Sequence, residues 1–315
     1  MNGFGKKRIV LAGGSGFLGN AIARPLLERN YEVVVLTRAP RQRNDGVREI
    51  AWDGKTLGAW VQYLGDAHAV VNLAGRSVNC RHTPENLREI TESRVNSVST
   101  IASAIHNVGR PPLVWVQAGS LAFYGDLDDQ WCEEGTPFGA GKMVETCRLW
   151  ETAFQAAPLP NTRRVLLRIG LVLARGGGAL SVLGKLTKWF LGGAVGSGRQ
   201  YVSWIHLTDM TQMLMDAIER DNLLGVFNAT SPNPVPNAEF MAELRRVLHR
   251  PWCPPAPGWA VRFGSRLMKT DPSLALTGRR CRPARFLRLG FKFQFPELRK
   301  ALTDIYRQRQ NVEIQ

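Results

Sequence analysis

The chain has 315 residues, a formal net charge of +15 and 44% hydrophobic residues. That length suits one large domain with an added lobe, and that apolar fraction can build a sizeable core. No apolar run reaches the roughly 20 residues of a membrane-spanning helix, so no membrane partner is expected and the cytoplasm is the expected location. Five cysteines, at 80, 132, 147, 253 and 281, are odd in number and form no C-x-x-C pair. They argue against disulfides and against a metal site, and Cys147 reads as a small buried hydrophobe on a helix.

The N-terminus places basic residues before an apolar run, as a signal peptide does. That run is short and breaks at once into glycines, so "RIVLAG" is read as a first buried strand. Residues 20–29 follow as a helix, with Ala21, Ile22, Leu26 and Leu27 at helical spacing. "YEVVVLTR" is a second strand and residues 68–75, "HAVVNLAG", a third. Residues 86–105 form a long helix, 112–120 a strand, 142–156 a helix and 163–173 one further strand. This alternation predicts right-handed βαβ crossovers and an α/β fold, a Rossmann-type doubly wound parallel sheet covered on both faces. After about residue 175 the rhythm loosens into a smaller mixed C-terminal lobe. "PWCPPAPGW" is a rigid linker, and Asn237 is the expected cap of a helix whose N3 is Phe240. The expected division is a nucleotide-binding domain over 6–230, with insertions after 175, and a substrate or lid domain over 231–315.

The glycine turn after the first strand carries most of the functional signal. Gly13, Gly16 and Gly19 fit G-x-x-G-x-x-G, and Gly14, Gly16 and Gly19 fit G-x-G-x-x-G. Such glycines allow a tight turn, close approach of backbone to a pyrophosphate, and packing of helix on strand. The helix N-terminus then offers free N–H groups to phosphate. Ser15, Phe17 and Leu18 complete that candidate cradle. At the end of the second strand a carboxylate would bind the ribose hydroxyls of NAD. Here Thr37 and Arg38 stand there, with Arg41 and Arg43 close behind, and a guanidinium can grip a 2′-phosphate through a forked pair of hydrogen bonds. The expected cofactor is therefore NADP(H). Leu73, Ala74 and Gly75 end the third strand at the sheet edge where ligands of open α/β sheets bind.

"GGSGFLG", "VVNLAG", "SLAFYGD" and "LLRIGLVL", in that order, resemble an extended short-chain dehydrogenase/reductase. "SRVNS", "CRLWE", "GSGRQYVSWIHLTDM" and "GFKFQFPELRKAL" narrow the resemblance to the YfcH-type epimerase-like subfamily, which includes proteins labelled SulA. It runs from about residue 8 to 302 and implies NADP(H) binding followed by a C-terminal domain of unknown function. Extended members use a Ser/Thr and a Tyr-x-x-x-Lys, in which tyrosine passes a proton to or from substrate oxygen. Ser120 matches the serine. Lys142 matches the lysine in "FGAGKMVE", yet Phe138 occupies the tyrosine position; aligned on "CRLWE", the subfamily shows no Tyr-x-x-x-Lys here, and Lys142 is then a helix lysine. Tyr124 is the candidate substitute, with an aromatic packing role as its alternative.

Two further positions are candidates for substrate. Arg199 lies in a glycine-flanked loop able to close over a ligand and suits a phosphate or carboxylate. His206 titrates near neutrality, and Asp209 can cap the helix behind it. The expected function is an NADP(H)-binding oxidoreductase or epimerase for a small polar substrate with an anionic group. The rival is an NADP(H)-binding regulator or scaffold with little turnover. A third reading, a nucleic-acid or anionic-surface binder using the basic C-terminal region, starts from charge. From Met241 to Gln315 there are 16 Lys/Arg against 5 Asp/Glu, which favours acidic partners. No zinc-finger spacing, aromatic RNP-type strand or long basic helix is present, so nucleic acid is not an expected partner.

Overall fold

A computed structural model describes residues 6–307. The first half alternates strand and helix: β1 Arg8–Ala12, α1 Phe17–Glu28, β2 Glu32–Thr37, β3 Arg48–Ala51, β4 Ala67–Asn72, α2 Pro84–Asn107, β5 Val114–Ser120, β6 Trp131–Cys132, α3 Lys142–Gln155 and β7 Arg163–Ile169. Then come β8 Leu171–Leu173, α4 Gly178–Lys188, β9 Tyr201–Val202, β10 Trp204–His206, α5 Leu207–Glu219 and β11 Gly225–Ala229. The remainder holds β12 Val235–Pro236, α6 Asn237–Val247, α7 Gly258–Leu267, α8 Ser273–Leu276, β13 Arg280–Cys281, α9 Ala284–Arg288 and α10 Leu298–Arg307.

Seven strands form one parallel sheet in the order β11-β7-β5-β4-β1-β2-β3. The central strands are apolar on both faces because helices cover both. On one face Ile9, Leu11, Val33 and Val71 pack with Ile22 and Leu26 of α1 and Met210, Met213 and Leu214 of α5. On the other, Val10, Val34, Val70 and Trp115 pack with Val98 and Ile101 of α2 and Trp150 and Phe154 of α3. A third cluster joins Leu173 and Leu180 to Phe240, Leu244, Leu302 and Ile305, so α4, α6 and α10 share one core. The chain leaves β1 toward β2 and β3, then returns to β4 on the other side of β1. That reversal opens a crevice between the carboxyl ends of β1 and β4.

Several local readings change, among them α1, which starts at Phe17 and not at residue 20. Helix α2 starts at Pro84, earlier than the apolar periodicity shows, because the Thr83 side chain accepts from Asn86 N at 3.2 Å and Pro84 fits the first turn. The strand read over 163–173 breaks at Gly170. There the chain leaves the large sheet, and β8 pairs with β10 instead; a Cβ on Gly170 would lie 2.6 Å from Ser203 O. Asn237 is not the cap of α6: Pro236 holds that position, and the Asn237 amide oxygen accepts from Val195 N at 2.7 Å.

Candidate functional site

The glycine turn lies at the crevice. Gly13 has φ +71°, and a Cβ there would meet the Ala74 backbone at 2.7 Å. The turn after β1 is thus packed against the turn after β4, and only glycine fits. A Cβ on Gly19 would sit 2.2 Å from Gly14 O, which fixes how α1 seats on its strand. Gly16 differs: its Cβ would meet nothing nearer than Gly13 O at 3.5 Å, an ordinary contact. The fold does not need a glycine at 16, so its missing side chain leaves room for a ligand against the first turn of α1, whose N-terminal amides carry partial positive charge. Phe17 and Leu18 open that turn, and a Cβ on Gly177 would touch the Phe17 ring at 2.6 Å. The loop before α4 therefore lies over the cradle, a neighbour the linear motif does not show.

At the carboxyl end of β2 the Thr37 hydroxyl shares a 2.9 Å hydrogen bond with Ser15 Oγ, tying the strand end to the glycine turn. Arg38 is exposed beside it. Arg43 is not a second free arm. Its guanidinium donates to Asp45 at 3.1 Å and to Asn20 at 3.1 Å, and it pairs with Glu49. Arg41 donates its backbone N–H to the same Glu49 at 2.8 Å. These contacts shape the loop behind Arg38 and leave its cation facing outward.

The turn after β4 is built from beneath. Asn72, fully buried, donates to Gln117 Oε1 at 3.0 Å and to Ser97 Oγ at 3.2 Å, and its own carbonyl oxygen accepts from Ala74 N at 3.0 Å. Leu73 N donates to Ala12 O at 2.8 Å. Gly75 leaves space for Arg94 of α2, whose guanidinium donates to Arg76 O at 3.0 Å and lies 5.1 Å from the Trp150 ring centre. Burial lowers the Arg94 pKa. Arg94 and Asn72 shape this turn from inside the fold, and "NLAG" alone gives no hint of them.

Ser120 ends β5, and its Oγ accepts from Ala122 N at 3.1 Å. That bond uses a lone pair and leaves the hydroxyl proton to donate. Phe138 is exposed and packs edge-on against Phe123, with ring centres 6.1 Å apart. Lys142, the first residue of α3, is exposed. Tyr124 has no accessible surface. Its hydroxyl lies 2.8 Å from Glu133 O, from Asn228 Oδ1 and from the Arg168 Nη1 that donates to it. Burial raises its pKa far above the usual phenol range, against the pull of Arg168. The structure therefore places the Tyr124 hydroxyl in a buried network with Glu133, Asn228 and Arg168. Arg168 makes two hydrogen bonds to Glu151, at 2.9 and 2.8 Å, and lies 3.5 Å from the Phe123 ring centre. Burial pushes the Glu151 carboxyl pKa up, opposed by Arg168. An arginine inside an apolar strand, "LLRIG", was the available signal for this pair.

Arg199 is exposed, but its loop is not a hinge. Gly196 and Gly198 take φ +59° and +69°, and the loop is pinned by Val195 N to Asn237, Gln200 Nε2 to Val195 O at 2.9 Å, and Ala238 N to Gly198 O at 2.9 Å. The glycines serve a tight turn that presents Arg199 from a fixed base. His206 is buried and acts as the N-cap of α5, its Nδ1 accepting from Thr208 N at 3.1 Å. Its Nε2 is 3.5 Å from Asp304 Oδ2, and its ring lies tilted against Phe295, with ring centres 4.0 Å apart. Burial lowers its pKa. Asp209 is not the cap. Its carboxylate accepts from Gln294 N at 2.8 Å and Phe295 N at 3.0 Å, which anchors the segment before α10. The structure thus brings together the glycine turn, Thr37, Arg38 and Leu73–Gly75, and sets Tyr124 and His206 apart in the core. A shallow cavity lined by Leu113, Leu159, Arg163 and Asp221 lies at the opposite, amino-terminal edge of the sheet.

Residues 9–229 match the NAD dependent epimerase/dehydratase family, and residues 256–305 match a domain of unknown function, DUF1731. Epimerase family protein SDR39U1 of Mus musculus is 33% identical over 305 residues, covering 95% of this chain and 99% of that protein. The chloroplastic SDR39U1 homolog of Arabidopsis thaliana is 33% identical over 303 residues, covering 94% and 86%. Among solved structures, human SDR39U1 (isoform 2) with NADPH superimposes with a TM-score of 0.84 at 31% identity, over 95% of this chain and 98% of that one. A nucleoside-diphosphate sugar epimerase from Corynebacterium glutamicum gives 0.77 at 26% identity, over 98% of this chain and 62% of that one. No helix among the described residues is long and apolar enough to cross a membrane. A cradle at the reversal of a parallel sheet, together with these full-length matches, establishes that the chain belongs to the NAD dependent epimerase/dehydratase family.

Proposed function

We propose that this chain is an NADP(H)-dependent oxidoreductase or epimerase of the extended short-chain dehydrogenase type, acting on a small polar substrate with an anionic group. The observation that carries this reading is the pairing of an open Gly16 with an exposed Arg38 across the Ser15–Thr37 hydrogen bond. Gly13–Gly19 would hold the pyrophosphate, Arg38 the 2′-phosphate, and Leu73–Gly75 the adjoining part of the cofactor. The human relative crystallised with NADPH supports that assignment. When bound, the nicotinamide supplies or accepts the hydride. Ser120 would donate a hydrogen bond to the substrate oxygen and polarise it. Arg199, fixed by its pinned loop, would meet the anionic group. The region after residue 230 would form the substrate or lid domain.

The second reading is an NADP(H)-binding regulator or scaffold with little turnover. Phe138 in the tyrosine position and the burial of Tyr124 favour it. Titration with NADPH and NADH, followed by fluorescence and melting temperature, tests the shared premise. Binding at least about tenfold tighter for NADPH is expected, a difference of ~1.4 kcal/mol; no binding of either nucleotide would overturn both readings. A screen of carbonyl and sugar-nucleotide substrates then separates the two. Ser120→Ala should leave NADPH binding intact and abolish any turnover found, whereas unchanged turnover would remove Ser120 from the site.

A further inference from the structure

The most exposed large apolar side chains lie on α7, on the linker before it and at the end of α4. Trp259, Phe263 and Leu267 on α7 are 72%, 69% and 79% exposed, and Trp189 and Trp252 are 77% and 74% exposed. Positions 259, 263 and 267 are four residues apart, so they form one stripe along the helix. Arg262 and Arg266 form the neighbouring stripe, and Ser265 is the residue buried on the far side. Trp189 sits in the turn that closes α4, with its N–H donating to Lys185 O at 3.1 Å. Arg250 lies 5.3 Å from the Phe190 ring centre. The chain after that turn runs beside the linker into α7: Ala256 N donates to Ala194 O at 2.8 Å, and Gly196 N donates to Ala256 O at 2.9 Å. The end of α4, the linker and the start of α7 are therefore neighbours in space.

Along the chain, the segments that carry this surface are charged with one sign. The sequence has no Asp or Glu from 178 to 208 or from 244 to 270, while those stretches hold three and six Lys/Arg. Large exposed aromatic and aliphatic side chains interleaved with cations, and no acid among them, match an amphipathic helix that lies on an anionic lipid surface. A second copy of the chain fits poorly. In a twofold interface the patch would meet itself and set Arg262 and Arg266 against their own kind. Single-stranded nucleic acid would use the tryptophans by stacking, but it would leave Leu267 and the exposed Leu191, two residues after Trp189, uncovered.

We propose that α7 and the α4–linker seam form a docking surface for an anionic lipid bilayer, with Trp259, Phe263 and Leu267 entering the headgroup–acyl boundary and Arg262 and Arg266 meeting the headgroups. The chain adsorbs and does not span. Co-sedimentation of the full chain with vesicles tests this, comparing phosphatidylcholine alone with a mixture containing one-third phosphatidylglycerol. Binding to the anionic vesicles only is expected. Arg262→Gln combined with Arg266→Gln should weaken it about 25-fold, roughly fivefold per charge. Trp259→Ser combined with Phe263→Ser should weaken it at least about tenfold with the melting temperature unchanged, because both side chains are in water. No binding to anionic vesicles overturns the proposal. So does binding that the Trp259/Phe263 pair leaves unaltered, which would be adsorption by net charge alone, or retention of an oligonucleotide in place of vesicles.

Discussion

Arg38→Glu tests the cofactor assignment most directly. Arg38 is exposed at the end of β2, beside the Ser15–Thr37 hydrogen bond. A guanidinium there makes charge-assisted hydrogen bonds to a 2′-phosphate, worth about 1.5–3 kcal/mol. Replacing it with a carboxylate also puts like charges about 4 Å apart. That costs ~1 kcal/mol at the dielectric of water and ~4 kcal/mol near a protein surface. Because the position is exposed, the lower Coulomb figure applies, and the sum is about 2.5–4 kcal/mol. At 1.4 kcal/mol per decade this weakens NADPH binding by roughly 10²–10³. NADH lacks the 2′-phosphate, and its affinity should change by no more than about threefold or improve, since a carboxylate can accept from the ribose hydroxyl. The assay is a nucleotide titration of wild type and variant at two salt concentrations, and the NADPH loss should shrink at high salt. Melting temperature should not move, since an exposed side chain of this kind contributes within about 0.5 kcal/mol. Equal losses for both nucleotides, or no loss for either, would refute the reasoning.

Gly16→Ala should leave melting temperature unchanged or slightly raised while weakening NADPH binding, because its Cβ meets only an ordinary contact at 3.5 Å. Gly19→Ala should lower stability first, its Cβ lying 2.2 Å from Gly14 O; the same response from both variants would refute the division of roles. Glu151→Ala leaves Arg168 buried without its carboxylate and should cost about 3–5 kcal/mol in urea unfolding, with Glu151→Leu/Arg168→Met recovering much of it; a loss under ~1 kcal/mol would refute a dry pair. Burial lowers the His206 pKa, so the unfolded chain, titrating near 6.5, binds the proton first as pH falls. Stability should hold above pH ~7.5 and decline below ~6.5. His206→Asn, which keeps an N-cap, should flatten that decline, and identical slopes in urea melts would exclude His206 as its source.

The parallel sheet was legible because its strands are buried on both faces and announce themselves as short apolar runs. The glycine turn was legible because its geometry depends on residues next to one another in the chain. What the sequence concealed depends on partners far apart in it. Arg43 looks like a phosphate arm until Asn20, Asp45 and Glu49 are placed around it. Tyr124 looks available until Arg168 and Asn228, 44 and 104 residues away, close on its hydroxyl. His206 takes the capping part expected of Asp209 because the backbone turns into α5 at His206, leaving Asp209 in the first turn to hold the segment before α10. The glycines around Arg199 suggested mobility, yet the same residue type supplies the positive φ angles of a pinned turn.

The placement of Tyr124 bears on chemistry as well as packing. In the wider family an accessible tyrosine gives the proton. Here Phe138 has none, and the phenol of Tyr124 is held in the core with its pKa raised. Ser120 keeps a donor hydrogen, but an aliphatic hydroxyl is too weak an acid to surrender it at neutral pH. It can stabilise a developing oxyanion without completing the transfer. On the enzyme reading proposed above, the proton would come from water or from the substrate itself, with an expected rate about 10²–10⁴ below that of a tyrosine-bearing relative. Phe138→Tyr separates the two readings of this site. If Lys142 and Ser120 frame a working centre, the restored phenol should raise turnover and introduce a pH dependence absent from wild type. If the chain only senses its nucleotide, the variant should bind NADPH as before and remain inert with every substrate tried.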